Sequence, residues 1–228
     1  MSLQTVTTHD RGEWQAAAAT ARKRIETRLF IDGRFVDAAK GGRFTTINPA
    51  NGEPLAEMSS GTGEDIDRAV AAARRAFKAG SWSKMAPRQR MEILYRFAAL
   101  VDQHAESLAV LETLDMGKPI RDALQVDVPA TARCIRWYGE AVDKIYGEIA
   151  PTSKDALALI SREPVGVVGA IVPWNFPMIM AAWKIGPILA AGNSLVLKPS
   201  EKSPLSALRL AELAVEAGVP PGVFNVVP

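Results

Sequence analysis

Two short segments carry polar groups at the ends of apolar runs: Ile171-Val172-Pro173-Trp174-Asn175-Phe176-Pro177 and, one helix later, Leu195-Val196-Leu197-Lys198-Pro199-Ser200-Glu201. Open α/β sheets bind ligands beyond the carboxyl ends of their strands, so both segments stand where chemistry is expected. The Asn175 amide could donate a hydrogen bond to an oxyanion forming there, a service worth on the order of a hundredfold in rate. Asn before Phe-Pro also suits a turn or a helix cap, and spacing alone leaves both readings open. Lys198 and Glu201 follow the second strand, where the adenosine ribose of a dinucleotide lies in Rossmann-like layers, so ammonium and carboxylate could hold its hydroxyls. A carboxylate there would repel a 2′-phosphate and favour NAD over NADP. The alternative is a solvated lysine and a glutamate approaching a helix. No G-x-G-x-x-G follows the first strand, where Pro173-Trp174 occupies the turn, so a pyrophosphate would be held differently from the usual Rossmann arrangement.

Such groups need a layer to hold them. From residue 165 the pattern reads as strand (165–172), helix (178–189), strand (194–197), helix (205–217) and the start of a strand (224–227), which predicts a parallel sheet with right-handed crossovers. Gly192 and Gly218 sit where helix C-caps are expected. Upstream, residues 14–28 read as an Ala-rich helix, and 29–31 with 34–36 flank an Asp32-Gly33 hairpin turn. A second strand pair is expected at 44–47 and 54–58. Ile66, Ala69, Val70, Ala73 and Phe77 share a helical face ending at Gly80, and Met91, Leu94, Tyr95, Ala98 and Val101 share another starting at Pro87. A helix over 105–114 precedes a longer helical region over 120–145, which Pro129 should kink. Residues 148–150 and 156–161 suggest a two-stranded ribbon, marginal by itself, that should dock on another subunit or on its own domain. The organisation is therefore read as a helical and hairpin part (1–146), a ribbon (147–164) and the first half of a Rossmann-like layer (165–228).

Composition narrows the class. The 228 residues are 48% hydrophobic, enough to bury a substantial core. Twenty-seven basic and 25 acidic residues are scattered without a basic block, so no nucleic-acid partner is expected. No membrane span is expected either, because Pro173, Pro177 and Pro187 divide the most apolar stretch, 165–189. A lone cysteine, Cys134, and no recognisable signal peptide suggest a reducing cytoplasm. With only His9 and His104 in the chain, no base is identifiable for Cys134, which reads as a packed structural residue.

Several blocks then converge. Pro173 to Pro177, Trp183-Lys184-Ile185-Gly186-Pro187, Ala191-Gly192-Asn193, Lys198 to Glu201 and Glu216-Ala217-Gly218-Val219-Pro220-Pro221-Gly222-Val223-Phe224-Asn225 together closely resemble the aldehyde dehydrogenase superfamily. The match begins near Leu29 and includes Asn48-Pro49, Leu111-Glu112-Thr113-Leu114-Asp115 and Gly117-Lys118-Pro119. Within that family, Ile135-Arg136-Trp137-Tyr138 and Asp143-Lys144-Ile145-Tyr146-Gly147-Glu148 look most like the γ-glutamyl-γ-aminobutyraldehyde dehydrogenases of putrescine breakdown.

The resemblance implies an α/β fold with an oxyanion-stabilising amide at Asn175 and Lys184 in a proton-handling network. It implies cofactor contacts at Ile171, Val172, Pro173, Trp174, Lys198 and Glu201, with NAD as cofactor and NADP as the alternative. Phe176, Met180 and Trp183 would line an aldehyde tunnel, while Asp122 and Asp127 at its mouth could attract an amine-bearing substrate or be ordinary solvated charges. Asp115, with backbone near Ile47 and Lys202, would correspond to a structural monovalent-cation site. The ribbon would be the oligomerisation arm of a homodimer or homotetramer. The family's nucleophilic cysteine, glutamate base and cofactor-covering glycine turn would lie beyond Pro228, so these 228 residues alone are expected to be inactive. A non-catalytic binding or assembly module, or a structural protein with the same fold, is the competing reading.

Overall fold

The computed structural model describes residues 9–228. Helix α1 (Arg11–Arg22) is started by a capping box: Asp10 accepts from the Glu13 N–H and Glu13 returns a bond to the Asp10 N–H. It ends six residues before the expected Arg28, because the Glu26 carboxylate accepts from the Thr27 and Arg28 N–H groups and from the Arg28 guanidinium. Those local bonds replace the helical ladder.

Strands β1 (Leu29–Ile31) and β2 (Arg34–Val36) form the expected hairpin. Asp32 (φ 57) and Gly33 (φ 76) both adopt the left-handed conformation that a two-residue hairpin turn requires. A second hairpin joins β3 (Arg43–Asn48) to β4 (Glu53–Ser59), with a register shift between Thr46 and Ile47.

Three helices follow: α2 (Gly63–Ala79), α3 (Pro87–Gln103) and α4 (Ala105–Met116). The long region around Pro129 is divided rather than merely bent. Helix α5 (Ile120–Asp122) runs through a π-helical turn (Ala123–Asp127) into α6 (Val128–Ala141). Pro129 has no N–H to offer and its ring crowds the carbonyl four residues back, so a wider turn immediately upstream relieves it. The ribbon pairs β5 (Glu148–Ala150) with β6 (Ala158–Ile160).

The last part alternates as expected: β7 (Val167–Ile171), α7 (Pro177–Ala190), β8 (Ser194–Lys198), α8 (Leu205–Ala217) and β9 (Phe224–Val226). β7, β8 and β9 are parallel, but the sheet is mixed. β1 pairs antiparallel with β9 through Phe30 and Val226, giving the order β2-β1-β9-β8-β7. The buried Asn225 fastens this junction, accepting from the Asp32 N–H and donating to the carbonyls of Leu195 and Gly222.

Side-chain alternation along the strands sends Phe30, Leu195, Leu197, Phe224 and Val226 into the large core shared with α7 and α8. Leu29, Ile31, Val196 and Val227 face the alanines of α2 on the other side. Among the described residues, no helix is long and apolar enough to cross a membrane.

Candidate active site

The crossover helices α7 and α8 set the strand-end turns, and both are held at each end by other elements. An α-helix leaves its first N–H groups and last carbonyls without partners. Here α4 supplies acids to the starts: Glu112 Oε1 accepts from the Met178 N–H of α7 at 3.3 Å, and Asp115 Oδ2 accepts from the Leu205 N–H of α8 at 2.8 Å. At the far ends, Trp82 Nε1 donates to the Leu189 carbonyl and Arg90 Nε to that of Ala190, while Arg96 Nε donates to Ala217. Acid at the positive ends and cation at the negative ends suit the helix dipoles.

The first turn leaves β7 at Val172, whose N–H donates to the Lys198 carbonyl of β8 at 3.1 Å. Pro173, Trp174 and Asn175 are exposed, and Phe176 is the N-cap residue of α7 without a side-chain cap bond. Asn175 therefore does not cap the helix, and its amide makes no hydrogen bond among the described residues. The Ser203 hydroxyl, which lies in the turn after β8, donates to the Trp174 carbonyl at 3.4 Å and so ties the two strand-end turns together. Lys202 lies over the Trp174 ring at 5.9 Å.

Phe176, Met180, Trp183 and Lys184 follow helical spacing along one side of α7. Met180 is half-buried, Trp183 is 55% exposed, and Lys184 is exposed without an ion pair among the described residues. Together with exposed Ile171 and Trp174, this is an unusually apolar open face.

Lys198 ends β8 half-buried, its ammonium donating to the Pro199 carbonyl at 2.7 Å, and Glu201, three residues after Lys198, is exposed. Ile171 and Lys198 border a cleft of about 510 Å³ that runs along the sheet to Thr62, Gly63 and Pro228. An ammonium bonded only to a backbone carbonyl and an exposed carboxylate, both at the end of β8 near a cleft of this size, have the chemistry to bind a nucleotide ribose. Val172 is buried and offers backbone rather than side chain.

The expected acidic tunnel mouth looks different in three dimensions. Asp127 is 1% exposed and paired with Lys118, so its carboxylate is engaged inward rather than offered to an amine. Asp122 is exposed and paired with Arg121. Asp115 is buried, and its second carboxylate oxygen has no donor; burial holds its acid well above the usual carboxylate range. A buried acceptor in need of positive charge fits a hard cation. Ile47 stands at the register shift in β3, where ladder bonding is interrupted, and Lys202 lies three residues before Leu205, whose N–H Asp115 accepts.

Cys134 lies on α6 half-buried against the core, and burial pushes its thiol above the ordinary value, the reverse of an activated nucleophile. Sequence reasoning gave no chemical role to Glu112, Lys118 or Ser203. Glu112 had a signal in principle, as an acid at helical spacing from Asp115 and flanked by the apolar run from Leu108 to Leu111.

The sequence model of the aldehyde dehydrogenase family matches residues 35–228. The NADP/NAD-dependent aldehyde dehydrogenase PuuC of Escherichia coli (strain K12) is 56% identical over 219 residues, 96% of this chain and 44% of that protein. The crystal structure of γ-glutamyl-γ-aminobutyraldehyde dehydrogenase from Burkholderia cenocepacia J2315 superposes with a TM-score of 0.92 at 56% identity, covering 95% of this chain and 44% of that one. The indole-3-acetaldehyde dehydrogenase AldA of P. syringae, solved as a cysteine-to-alanine mutant in complex with NAD+ and IAA, gives 0.94 at 55% identity, covering 97% and 44%. The chain thus spans about half the length of the relatives it matches, and it belongs to the aldehyde dehydrogenase family.

Proposed function

We propose that the protein to which these residues belong oxidises an aldehyde to its carboxylic acid with NAD, or with NADP as the alternative. The observation that carries this reading is the Asn175 amide, exposed and without a partner at the end of β7, one strand from the ammonium of Lys198. A cysteine thiolate supplied beyond Pro228 attacks the aldehyde carbonyl, as suggested by the cysteine-to-alanine substitution in the AldA complex. Asn175 donates to the oxyanion that forms, and Phe176, Met180 and Trp183 exclude water from the aldehyde chain. Lys184 acts in proton handling from the same side of α7. Lys198 and Glu201 hold the adenosine ribose, with Ile171 to Trp174 lining the cofactor's path; the nicotinamide supplies the hydride acceptor when bound.

The substrate class is an amino-aldehyde such as γ-glutamyl-γ-aminobutyraldehyde, supported by the relatives named above. The 228 residues alone are inactive, and the site works in a homodimer or homotetramer in which the β5–β6 ribbon, with Ile149, Leu157 and Leu159 exposed, meets a second copy. Asp115, with carbonyls near Ile47 and Lys202, holds a monovalent cation that organises the start of α8.

The test is steady-state oxidation of γ-glutamyl-γ-aminobutyraldehyde, aminoacetaldehyde and simple aliphatic aldehydes by the full-length protein with each nucleotide. Asn175→Ala should lower kcat about a hundredfold. Absence of turnover on every aldehyde would instead favour a binding or assembly module.

A further inference from the structure

Asn175 makes no hydrogen bond among the described residues, so its orientation is set by whatever fixes its neighbours. Two ionisable groups, Glu112 fully buried and Lys118 largely so, do this from below. The Lys118 ammonium lies 4.0 Å from the centroid of the Phe176 ring and is paired on its other side with Asp127. Two residues further on, the Met178 N–H donates to Glu112, which is 0% exposed. Met178 is the second residue of α7, so its N–H has no acceptor within the helix and Glu112 is its partner. Both grips come from one stretch of chain: α4 brings Glu112, the loop after it Lys118, and the π-helical turn Asp127. The π-turn thus has a use beyond accommodating Pro129, because it places Asp127 where it can hold Lys118 against Phe176.

We propose that Lys118 and Glu112 are positioning residues for the Asn175 amide, a two-point clamp that fixes the turn at Phe176 and Met178 so that the donor is already aimed when charge develops on the substrate. This rests on the oxyanion reading of Asn175. Preorganised donors outperform solvent because nothing must reorient during the reaction, and an exposed amide without bonds of its own lacks that property unless its backbone is held. The cation on the Phe176 ring also fixes one wall of the aldehyde channel, so the clamp couples substrate fit to oxyanion binding.

Two measurements on the full-length protein separate the clamp from the oxyanion reading. The first is amide hydrogen exchange at Met178, which needs no turnover. Glu112→Leu, which removes the acceptor, should speed exchange there at least tenfold, whereas Glu112→Gln, which keeps it, should stay near the parent rate. Equal rates in parent and Glu112→Leu overturn the clamp. The second is a kinetic cycle. Lys118→Met should lower kcat at least tenfold, Lys118→Arg should restore much of it, and in an Asn175→Ala background Lys118→Met should cost no more than about twofold. An equal loss with and without Asn175 makes Lys118 a general structural residue and overturns its positioning role. If Lys118→Met fails to fold, Phe176→Leu removes the other half of the same contact and is read in the same cycle. A neutral Asn175→Ala refutes the oxyanion reading and, with it, the proposed purpose of the clamp, while the exchange rates still report whether the turn is held.

Discussion

Glu112 and Asp115 stand one helical turn apart on α4, and their carboxylates accept from the opening N–H groups of two different helices, Met178 of α7 and Leu205 of α8. One helix thereby sets the starting points of both crossovers. Each acid is buried, so both feel the absence of water.

For Glu112, burial pushes the pKa up to about 7 from 4.5. An acid whose pKa is raised on folding binds its proton more tightly in the folded state. Its favourable contribution is complete below the unfolded value and is lost as pH rises to about 7, a change of about 3 kcal/mol. Glu112→Gln, which cannot ionise, should flatten the stability profile over this window. Urea melts at pH 4.5, 6 and 8 check it; an unchanged slope would show that Glu112 is not the titrating group.

Asp115 should reveal its cation by thermal shift. Raising sodium or potassium chloride at constant ionic strength, with choline chloride as the balance, should raise Tm in the parent protein. The rise should be absent in Asp115→Asn. Equal shifts in both would place the ion elsewhere.

Asn225 makes three hydrogen bonds from a fully buried position, joining the β1–β2 turn to β8 and β9. Asn225→Ala leaves those backbone groups without partners and should destabilise by about 3 kcal/mol. Denaturant unfolding at pH 7 measures this.

Gly186 is where α6 and α7 approach closely. A Cβ there would lie 2.5 Å from Tyr138 Cδ2, within the ring rather than at the end of a flexible chain. Gly186→Ala should therefore cost about 1–3 kcal/mol despite improving helix propensity, and trimming the ring with Tyr138→Ala should recover part of that loss.

Much of the fold was legible because its signals are local. Asp32-Gly33 between apolar triplets, Pro87 at a helix start, and Gly80 and Gly218 as left-handed caps each report their own few residues. The end of α1 at Arg22 was missed because the competing bonds from Glu26 have no periodic signature. The mixed sheet was not visible because β1 finds its partner in β9, where Phe30 opposes Val226. The same contrast holds in the site. Asn175 could be picked out from its place after a strand, whereas roles for Phe176, Met180, Trp183 and Lys184 came only from the family resemblance. The Lys118–Phe176 contact joins residues from elements that only packing brings together, and no spacing announces it.

Cys134 offers a simple chemical check. With its thiol half-buried and raised by burial, it should react with iodoacetamide at pH 7 far more slowly than any activated cysteine of the kind proposed for the catalytic step. Peptide mapping after brief labelling distinguishes the two. Preferential labelling at Cys134 would contradict the structural assignment.

The pairing of Phe30 with Val226 sets a timetable for synthesis. The hairpin is made well before its partner strand, which comes 196 positions later (226 − 30). At a translation rate of about 5–20 residues per second, the β1–β2 hairpin waits roughly 10–40 s before its docking edge exists. Through that interval Leu29, Phe30 and Ile31, all buried in the finished protein, have no sheet to join. Until β9 is made, these three residues stay open to chaperones and to misassociation.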